Sequence, residues 1–190
     1  MSLILFNKPF QVMCQFSLHP SRETLANYLD IPGIYPAGRL DADSEGLLLL
    51  TDDGQLQHRI SHPDSKQPKT YIAQVEGIPD VTTLKRLQAP LNLGDFITQR
   101  CEVKQIESPA WLWERNPPIR QRQSTPTSWL AITLSEGKNR QVRRMTAAVG
   151  LPTLRLIRIA IGPFSLVTHP LWPGEWRKVY ASELERPEPI

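Results

Sequence analysis

The chain has 190 residues, of which 40% are hydrophobic and 22% are charged, and its formal net charge is +3. This composition is typical of a folded globular protein with one sizeable core, and it argues against a disordered chain. The apolar runs fall short of the roughly 20 residues that a membrane helix needs, and the N-terminus lacks the features of a signal peptide. The two cysteines have neither zinc-type spacing nor a disulfide framework. We therefore expect a soluble, cytoplasmic protein.

The first predicted elements are a strand at residues 3–6 and a short helix at residues 24–29. Pro9 should end the strand, because proline has no N–H to donate to a ladder. Lys8 either contacts a phosphate or faces solvent, and the pattern alone favours solvent. Ser21 is the candidate N-cap of the helix.

Residues 38–54 combine an arginine and several acids with an uninterrupted leucine run at residues 47–50. A short apolar run between turn residues predicts a strand that is buried on both faces. Asp41 then lies on a loop braced by that strand, a position at which catalytic groups are often displayed. The alternative, which the pattern alone favours, is that these acids form turns and cap local N–H groups. A calcium loop is disfavoured, because leucines occupy the place of its terminal glutamate.

The middle of the chain alternates between helical and extended patterns. Helices are predicted at residues 55–60 and 81–87, and strands at residues 69–75 and 101–106. His58 and His62 have the spacing of metal ligands on a helix, but no third ligand is nearby, so we interpret them as surface histidines. Tyr71 lies on one apolar face of its strand, where a core aromatic is the simplest interpretation.

Residues 107–128 have no periodicity and contain four prolines, which predicts a projecting loop or a hairpin tip. Two tryptophans alternate there with arginines: Trp111, Trp113, Arg115, Arg120 and Arg122. This combination suits unpaired RNA, through stacking and phosphate contacts. A surface loop whose tryptophans fold back on the core explains the pattern equally well.

The C-terminal third predicts a strand at residues 129–134, a helix at 139–149, a central strand at 153–161 and a last short strand near the end. The tail, residues 183–190, should be frayed. The apolar stripe of the helix consists of Val142, Met145, Thr146 and Val149. Between residues 138 and 158 the basic residues meet no acid, which predicts a positive surface: Lys138, Arg140, Arg143, Arg144, Arg155 and Arg158.

Arg143 lies next to the apolar stripe of its helix. An arginine that leans toward a core is costly unless a carboxylate partners it. We propose Asp41 as that partner, while spacing alone also allows Arg143 to cap a structural acid such as Asp43.

Five segments together resemble the RsuA-like ribosomal pseudouridine synthases: Asn7-Lys8-Pro9, Gly38-Arg39-Leu40-Asp41 with the leucine run, Lys69-Thr70-Tyr71, residues 136–145, and Leu156-Ile157-Arg158. The resemblance implies an α+β fold, with a mixed, mostly antiparallel sheet, a central cleft and flanking helices. It implies one catalytic domain at residues 1–182, without an N-terminal S4 module and with residues 107–128 inserted. Family members usually have a glycine soon after the Lys-Pro pair; Gln11 and Val12 stand there, so we expect a different turn.

The resemblance also implies the roles of individual residues. Asp41, Tyr71 and Arg143 would be catalytic, and Tyr71 and Leu156 would hold the flipped base between them. Arg39 would hold the RNA backbone or refill the vacated stack. The remaining substrate contacts would be Lys8, Lys69, Lys138, Arg140 and Arg158.

The reaction implied is the isomerisation of a uridine in ribosomal RNA, that of the large subunit (23S), to pseudouridine. It needs neither a metal nor a cofactor, and the sequence has no phosphate-binding glycine loop or dinucleotide motif. The partner would be free ribosomal RNA or an assembly intermediate, bound by a monomer, with no membrane involved. Two other classes remain open: a non-catalytic RNA-binding or ribosome-assembly factor, and, ranked last, a hydrolase that uses Asp41 and Asp43 as an acid–base pair.

Overall fold

The computed structural model describes residues 2–62, 67–120 and 124–185. The chain divides into two compact units, the first formed by Met1–Gln67 with Arg158–Ile190 and the second by Pro68–Ile157. Arg122 and the last five residues of the predicted tail lie outside the described residues. Within the described part of the chain, no helix is both long and apolar enough to cross a membrane.

Strands and helices follow the predicted order. The strands are β1 (Leu3–Lys8), β2 (Tyr35–Pro36), β3 (Glu45–Thr51), β4 (Lys69–Glu76), β5 (Glu102–Ile106), β6 (Thr127–Leu134), β7 (Thr153–Ile161), β8 (Phe164–Ser165) and β9 (Trp176–Val179). The α-helices are α1 (Gly54–Ser61), α2 (Val81–Gln88) and α3 (Gln141–Ala148). Short 3₁₀ turns lie at Leu25–Asn27 and Ala181–Glu185. The α+β class that the sequence predicted is confirmed.

The first unit is built on the strand order β7-β3-β1-β9. β1 pairs antiparallel with both β3 and β9, so it lies between two neighbours and all six of its residues are buried. All seven residues of β3 are buried as well, which confirms the prediction from its leucine run. One face of this sheet packs on a cluster that includes Phe6, Leu25, Leu29 and Leu48.

One boundary in this unit differs from the prediction. The segment around Leu25 is a 3₁₀ turn of three residues, and its N-cap is Thr24 rather than Ser21. The amide of Thr24 donates to Oδ1 of Asn27 at 2.8 Å, which caps the start of the turn. The following helix behaves as predicted: Oδ1 of Asp53 accepts from the first free amides of α1, so the Asp-Asp-Gly turn is a helix cap.

The second unit has the strand order β5-β6-β4-β7. β6 pairs antiparallel with β4 along its whole length and with β5 on its other side. α3 packs with the predicted stripe buried, and Gln141 joins that stripe. The helix starts two residues later than predicted, because Arg140 has a left-handed φ of 51°. β7 contributes its first residues to this unit and its last residues to the other.

Candidate active site

Asp41 lies on the loop that enters β3, as predicted, and its side chain is half-buried. The amide of Ser44 donates to the Asp41 carbonyl at 3.1 Å, which closes a turn around the aspartate. From Ser44 onward every residue up to Thr51 is buried. The carboxylate is therefore carried by a tight turn whose C-terminal end is fixed in the core.

Lys8 supports this loop from β1. Its side chain is fully buried, and its ammonium donates to the carbonyls of Pro9 at 2.9 Å, Val12 at 2.8 Å and Ala42 at 3.5 Å. Burial lowers the pKa of Lys8 from 10.5 to about 8, and the nearby Glu45 and Asp43 partly oppose that shift. The expectation that Lys8 faces solvent is wrong. Because its donors are directed at main-chain carbonyls, Lys8 acts on the Asp41 loop rather than as a phosphate contact.

The turn after Pro9 also contacts the Asp41 loop. The amide of Gln11 donates to the Ala42 carbonyl at 2.7 Å, so this oxygen accepts from both Gln11 and Lys8. Gln11 has a φ of 68°, a left-handed conformation that glycine adopts without strain and other residues adopt at a cost of about 1 kcal/mol. A side chain at this position is thus compatible with a left-handed turn.

Arg158, the second buried cation of this unit, crosses behind β3. Its Nε donates to the Leu47 carbonyl at 2.8 Å and its Nη1 to the Arg39 carbonyl at 3.3 Å. Gly46 makes this approach possible: a Cβ there would lie 2.3 Å from the Arg158 carbonyl oxygen. Arg158 is buried, so the prediction that it contributes to a positive surface is wrong. Arg39 itself is exposed.

Glu45 is a buried residue at this site that the sequence did not single out as part of it. Its side chain is almost fully buried in the first residue of β3, and its charge acts on Lys8. Two buried opposite charges compensate each other, so the Glu45 carboxylate favours the charged form of Lys8. The burial of Glu45 could have been expected from its position, because it lies just before the leucine run of β3.

Tyr71, Lys69 and Leu156 lie on strands of the second unit. Tyr71 is buried in β4 opposite Ile132 of β6, and Leu156 is buried in β7. Lys69, the first residue of β4, is half-buried. Since β4 and β7 are neighbouring strands, Tyr71 and Leu156 belong to one pair of adjacent strands.

Arg143 is half-buried on α3, beside the apolar stripe. Its Nη1 donates to the Thr153 carbonyl at 3.4 Å, where β7 begins. This contact orients the guanidinium along the start of the strand. The partner that we proposed for it, Asp41, belongs to the first unit.

Lys138 and Arg140 are exposed on the turn that leads into α3. Gln141 shapes this turn: its Oε1 accepts from the Lys138 amide at 3.0 Å, and its Nε2 donates to Glu136 at 2.5 Å. Sequence patterns did not identify Gln141, because a buried glutamine within a basic run has no distinctive spacing. Arg144 is engaged elsewhere, in an ion pair with Asp95 that lowers the pKa of that carboxyl.

The tryptophans of residues 107–120 have different environments. Trp113 is 8% exposed, and Arg155 fixes it: Nη2 donates to the Trp113 carbonyl at 3.0 Å, and the guanidinium lies 5.9 Å from the ring centroid. Trp111 is 41% exposed, with its ring centroid 6.3 Å from that of Trp113. Folding back on the core is therefore correct for Trp113 only. Arg155 is buried, so the predicted positive surface does not include it.

No group of three metal-binding side chains occurs in residues 2–62, 67–120 and 124–185. The rings of His58 and His62 stack with centroids 4.3 Å apart.

Comparisons with known proteins identify the family of this chain. The family model described as RNA pseudouridylate synthase matches residues 2–148. The chain is 54% identical over 177 residues to ribosomal large subunit pseudouridine synthase E of Xanthomonas campestris pv. campestris, which covers 92% of this chain and 94% of that protein. It is 50% identical over 177 residues to the protein of the same name from Vibrio vulnificus, over 93% of this chain and 74% of that protein.

A crystal structure of pseudouridylate synthase superposes with a TM-score of 0.78 at 27% identity, and the match covers 97% of this chain and 72% of that one. The fold and the sequence thus lead to the same conclusion. The chain belongs to the RNA pseudouridylate synthase family.

Proposed function

We propose that this protein isomerises one uridine of large-subunit ribosomal RNA to pseudouridine, with Asp41 as the essential catalytic group and without a metal or cofactor. It acts as a cytoplasmic monomer on free RNA or on an assembly intermediate. The observation that carries this proposal is the fixed loop of Asp41, whose backbone accepts hydrogen bonds on both sides of the aspartate from Arg158, Gln11 and Lys8. A reacting carboxylate needs such a fixed position.

The reaction breaks the C1′–N1 bond of the uridine, rotates the uracil and forms a C1′–C5 bond. The proton lost from C5 is balanced by the proton that N1 gains, so no electrons or groups leave the substrate. Asp41 acts on a sugar that becomes electron-poor, either by attacking C1′ or by removing the C2′ proton to give a glycal. A primary kinetic isotope effect from deuterium at C2′ is expected only for the second route, because only there does the C2′–H bond break.

The target nucleotide must leave its stack, because C1′ and C5 are not accessible there. We assign Tyr71 and Leu156 to the two sides of the extruded base. Arg143 keeps the carboxylate of Asp41 ionised in the closed complex. Arg39, Lys69, Lys138 and Arg140 contact the RNA backbone, whereas Lys8 and Arg158 act through the main chain of the Asp41 loop.

The test is incubation with 23S ribosomal RNA transcribed without modifications, followed by carbodiimide treatment and mapping of reverse-transcription stops. Wild-type protein should give one new stop, and Asp41→Asn should reduce its formation by at least about 10⁴-fold. Asp30→Asn, at an exposed aspartate of the same unit, is the matched control and should leave the rate unchanged. RNA binding by Asp41→Asn should remain within about threefold of wild type, since phosphate contacts dominate affinity.

Other outcomes identify the competing functions. Binding without any new stop would indicate an RNA-binding or assembly factor, and an abasic site would indicate a hydrolase. Parallel reactions with free RNA, ribosomal precursor particles and mature large subunits identify which of the three is the substrate.

A further inference from the structure

The chain segment around β9 exposes an unusual concentration of aromatic rings. Trp172 is 64% exposed, Trp176 is 43% exposed and Tyr180 is 79% exposed, and all three lie in one nine-residue segment of the first unit. Large aromatic side chains normally bury most of their area, and rings that remain exposed close together commonly mark an interaction surface. None of these residues contributes to the site described above.

Trp172, the first of the exposed rings, lies on a tight turn that leads into β9. The amide of Glu175 donates to the Trp172 carbonyl at 2.9 Å, and Gly174 has a φ of 88°, so residues 172–175 form a turn with Pro173 and Gly174 at its centre. The Glu175 carboxylate accepts from the Trp172 amide at 2.8 Å, which closes the turn a second time. Its backbone is thus doubly constrained.

Asn7, buried in β1, fastens this turn to the sheet. Its Nδ2 donates to the Leu171 carbonyl at 2.8 Å, its carbonyl accepts from the Gly174 amide at 2.8 Å, and its amide donates to the Glu175 carbonyl at 3.0 Å. Gly174 also packs on Tyr28, where a Cβ would lie 3.0 Å from the ring. The backbone below Trp172 is therefore fixed, while its ring projects into solvent. A ligand that stacks on it would pay little to order the turn.

Two cations lie on the same strand as Trp176. Arg177 and Lys178 are both exposed on β9, the last strand in the strand order of the sheet, and as neighbours on a strand they point to opposite sides of this edge. The nearby carboxylates of Glu175 and Glu183 accept hydrogen bonds from the amides of Trp172 and Tyr180. Both acids thus have main-chain partners, while the aromatic and cationic side chains of this segment are exposed.

We propose that the β9 platform, formed by Trp172, Trp176, Arg177, Lys178 and Tyr180, binds unpaired nucleotides of the RNA substrate away from the reacting uridine. The tryptophans stack on bases, and the two cations contact phosphates. This inference rests on the proposed function only in taking RNA as the partner. A second copy of the chain fits less well, because antiparallel pairing of two β9 edges about a twofold axis sets like charges against each other.

The experiment compares Trp172→Ala/Trp176→Ala with Trp172→Phe/Trp176→Phe. Affinity is measured for a fluorescein-labelled single-stranded 12-mer RNA and for unmodified 23S RNA. The alanine pair should weaken binding of the 12-mer by at least about tenfold, whereas the phenylalanine pair, which keeps two stacking faces, should stay within about threefold. Turnover at saturating 23S RNA should not change, since the platform does not touch the reacting uridine.

A second pair, Arg177→Gln/Lys178→Gln, isolates the phosphate contacts. It should reduce the slope of log affinity against log salt by about 1.4 for single-stranded RNA. Ile78→Ala/Val81→Ala, at two exposed apolar residues of the other unit, is the control and should change neither affinity nor slope.

Alanine variants that fold normally and bind both RNAs as tightly as wild type would overturn the platform. An RNA affinity that stays constant while size-exclusion chromatography shows a wild-type dimer lost in the alanine pair would overturn it too, by making this face a contact between copies. A different result would refute the proposed function alone: wild-type protein that binds RNA through the platform but forms no pseudouridine.

Discussion

The loop before β3 and the segment before β6 both contain distinctive polar patterns, and the structure holds them in different ways. Around Asp41, the carbonyls of Arg39 and Ala42 accept from buried groups, including two buried cations. In residues 107–120, one tryptophan is anchored by one arginine while the other is exposed. The first arrangement fixes the backbone of a loop at two carbonyls, and the second holds one residue through its carbonyl and its ring.

This difference matches the tasks proposed for the two regions. The rate of a reaction falls when the reacting carboxylate is displaced by a small distance. A fixed loop can therefore outweigh the desolvation energy that burying two cations costs. A surface that meets single-stranded RNA gains from rings that can adjust to each base. Substitutions in the two regions should therefore change different properties of the protein.

The largest effect is expected at Gly46, where β3 and Arg158 come closest. Gly46→Ala should lower the free energy of unfolding by about 3–5 kcal/mol, because its Cβ would overlap main-chain atoms that cannot move independently. Urea denaturation measures it. Gly33→Ala is the control: Gly33 also has a positive φ but nothing within 4 Å of the added Cβ, so about 1 kcal/mol is expected. Equal losses for the two variants would contradict the close-contact account.

The next largest effect is expected for Trp113→Ala. This variant should lower the free energy of unfolding by about 3 kcal/mol, because it leaves a cavity and removes the contact with Arg155. Trp111→Ala should change stability by less than about 0.5 kcal/mol, because the ring is largely solvated. Thermal and urea unfolding of both variants measure this contrast. A large destabilisation by Trp111→Ala would show that the exposed ring is part of the core of this segment.

Lys8→Met separates stability from catalysis. We expect the free energy of unfolding to stay within about 2 kcal/mol of wild type, since replacing a buried charge by an apolar chain is often neutral. The turnover number should fall about tenfold or more, because the Asp41 loop loses a donor to its Ala42 carbonyl. Lys85→Met, at an exposed lysine of α2, should change neither.

The same residue predicts a pH dependence, because burial lowers the pKa of Lys8 to about 8. Between this value and the unfolded pKa of 10.5, the unfolded chain binds more protons, so the Lys8 contribution to stability rises with pH. Catalysis should move the other way: a neutral amine has two N–H groups for three carbonyls, and the longest contact, to Ala42, is given up. The fall in turnover above pH 8 should be absent in Lys8→Met.

The smallest effect is expected at Gln11. Gln11→Gly should raise the free energy of unfolding by about 1 kcal/mol, because its left-handed φ strains any side chain. Turnover should not change, since the amide that donates to Ala42 remains. Gln57→Gly inside α1 should instead lower stability by about 1 kcal/mol. A loss of stability in Gln11→Gly would mean that its side chain has contacts that outweigh the strain.

Elements whose apolar pattern agrees with their packing were predictable from the sequence. The leucine run of β3 could only be core, and the stripe of α3 followed from residues spaced three and four apart. The position of Asp41 on the loop into β3 followed in turn. Binary patterning therefore located the loop that carries the proposed catalytic group.

The burial of Lys8 and Arg158 could not be predicted in this way. Charged residues are mostly exposed, and what compensates these two is a set of main-chain carbonyls contributed by distant turns and strands. Carbonyl oxygens occur at every residue, so their convergence leaves no trace in the sequence. The difference between Trp111 and Trp113 was hidden for a similar reason, because it depends on one guanidinium 42 residues away.

The two polar residues at the end of β1, Asn7 and Lys8, affect the register in which that strand pairs. Leu3, Ile4, Leu5 and Phe6 are all buried, so a slip of β1 by one residue would exchange one apolar side chain for another and cost little. Asn7 and Lys8 point to opposite faces and have different acceptors, the Leu171 carbonyl for one and the Pro9, Val12 and Ala42 carbonyls for the other. A slipped strand would leave both without those acceptors at once. These two residues, rather than the apolar ones, therefore ensure that the strand locks in a single alignment.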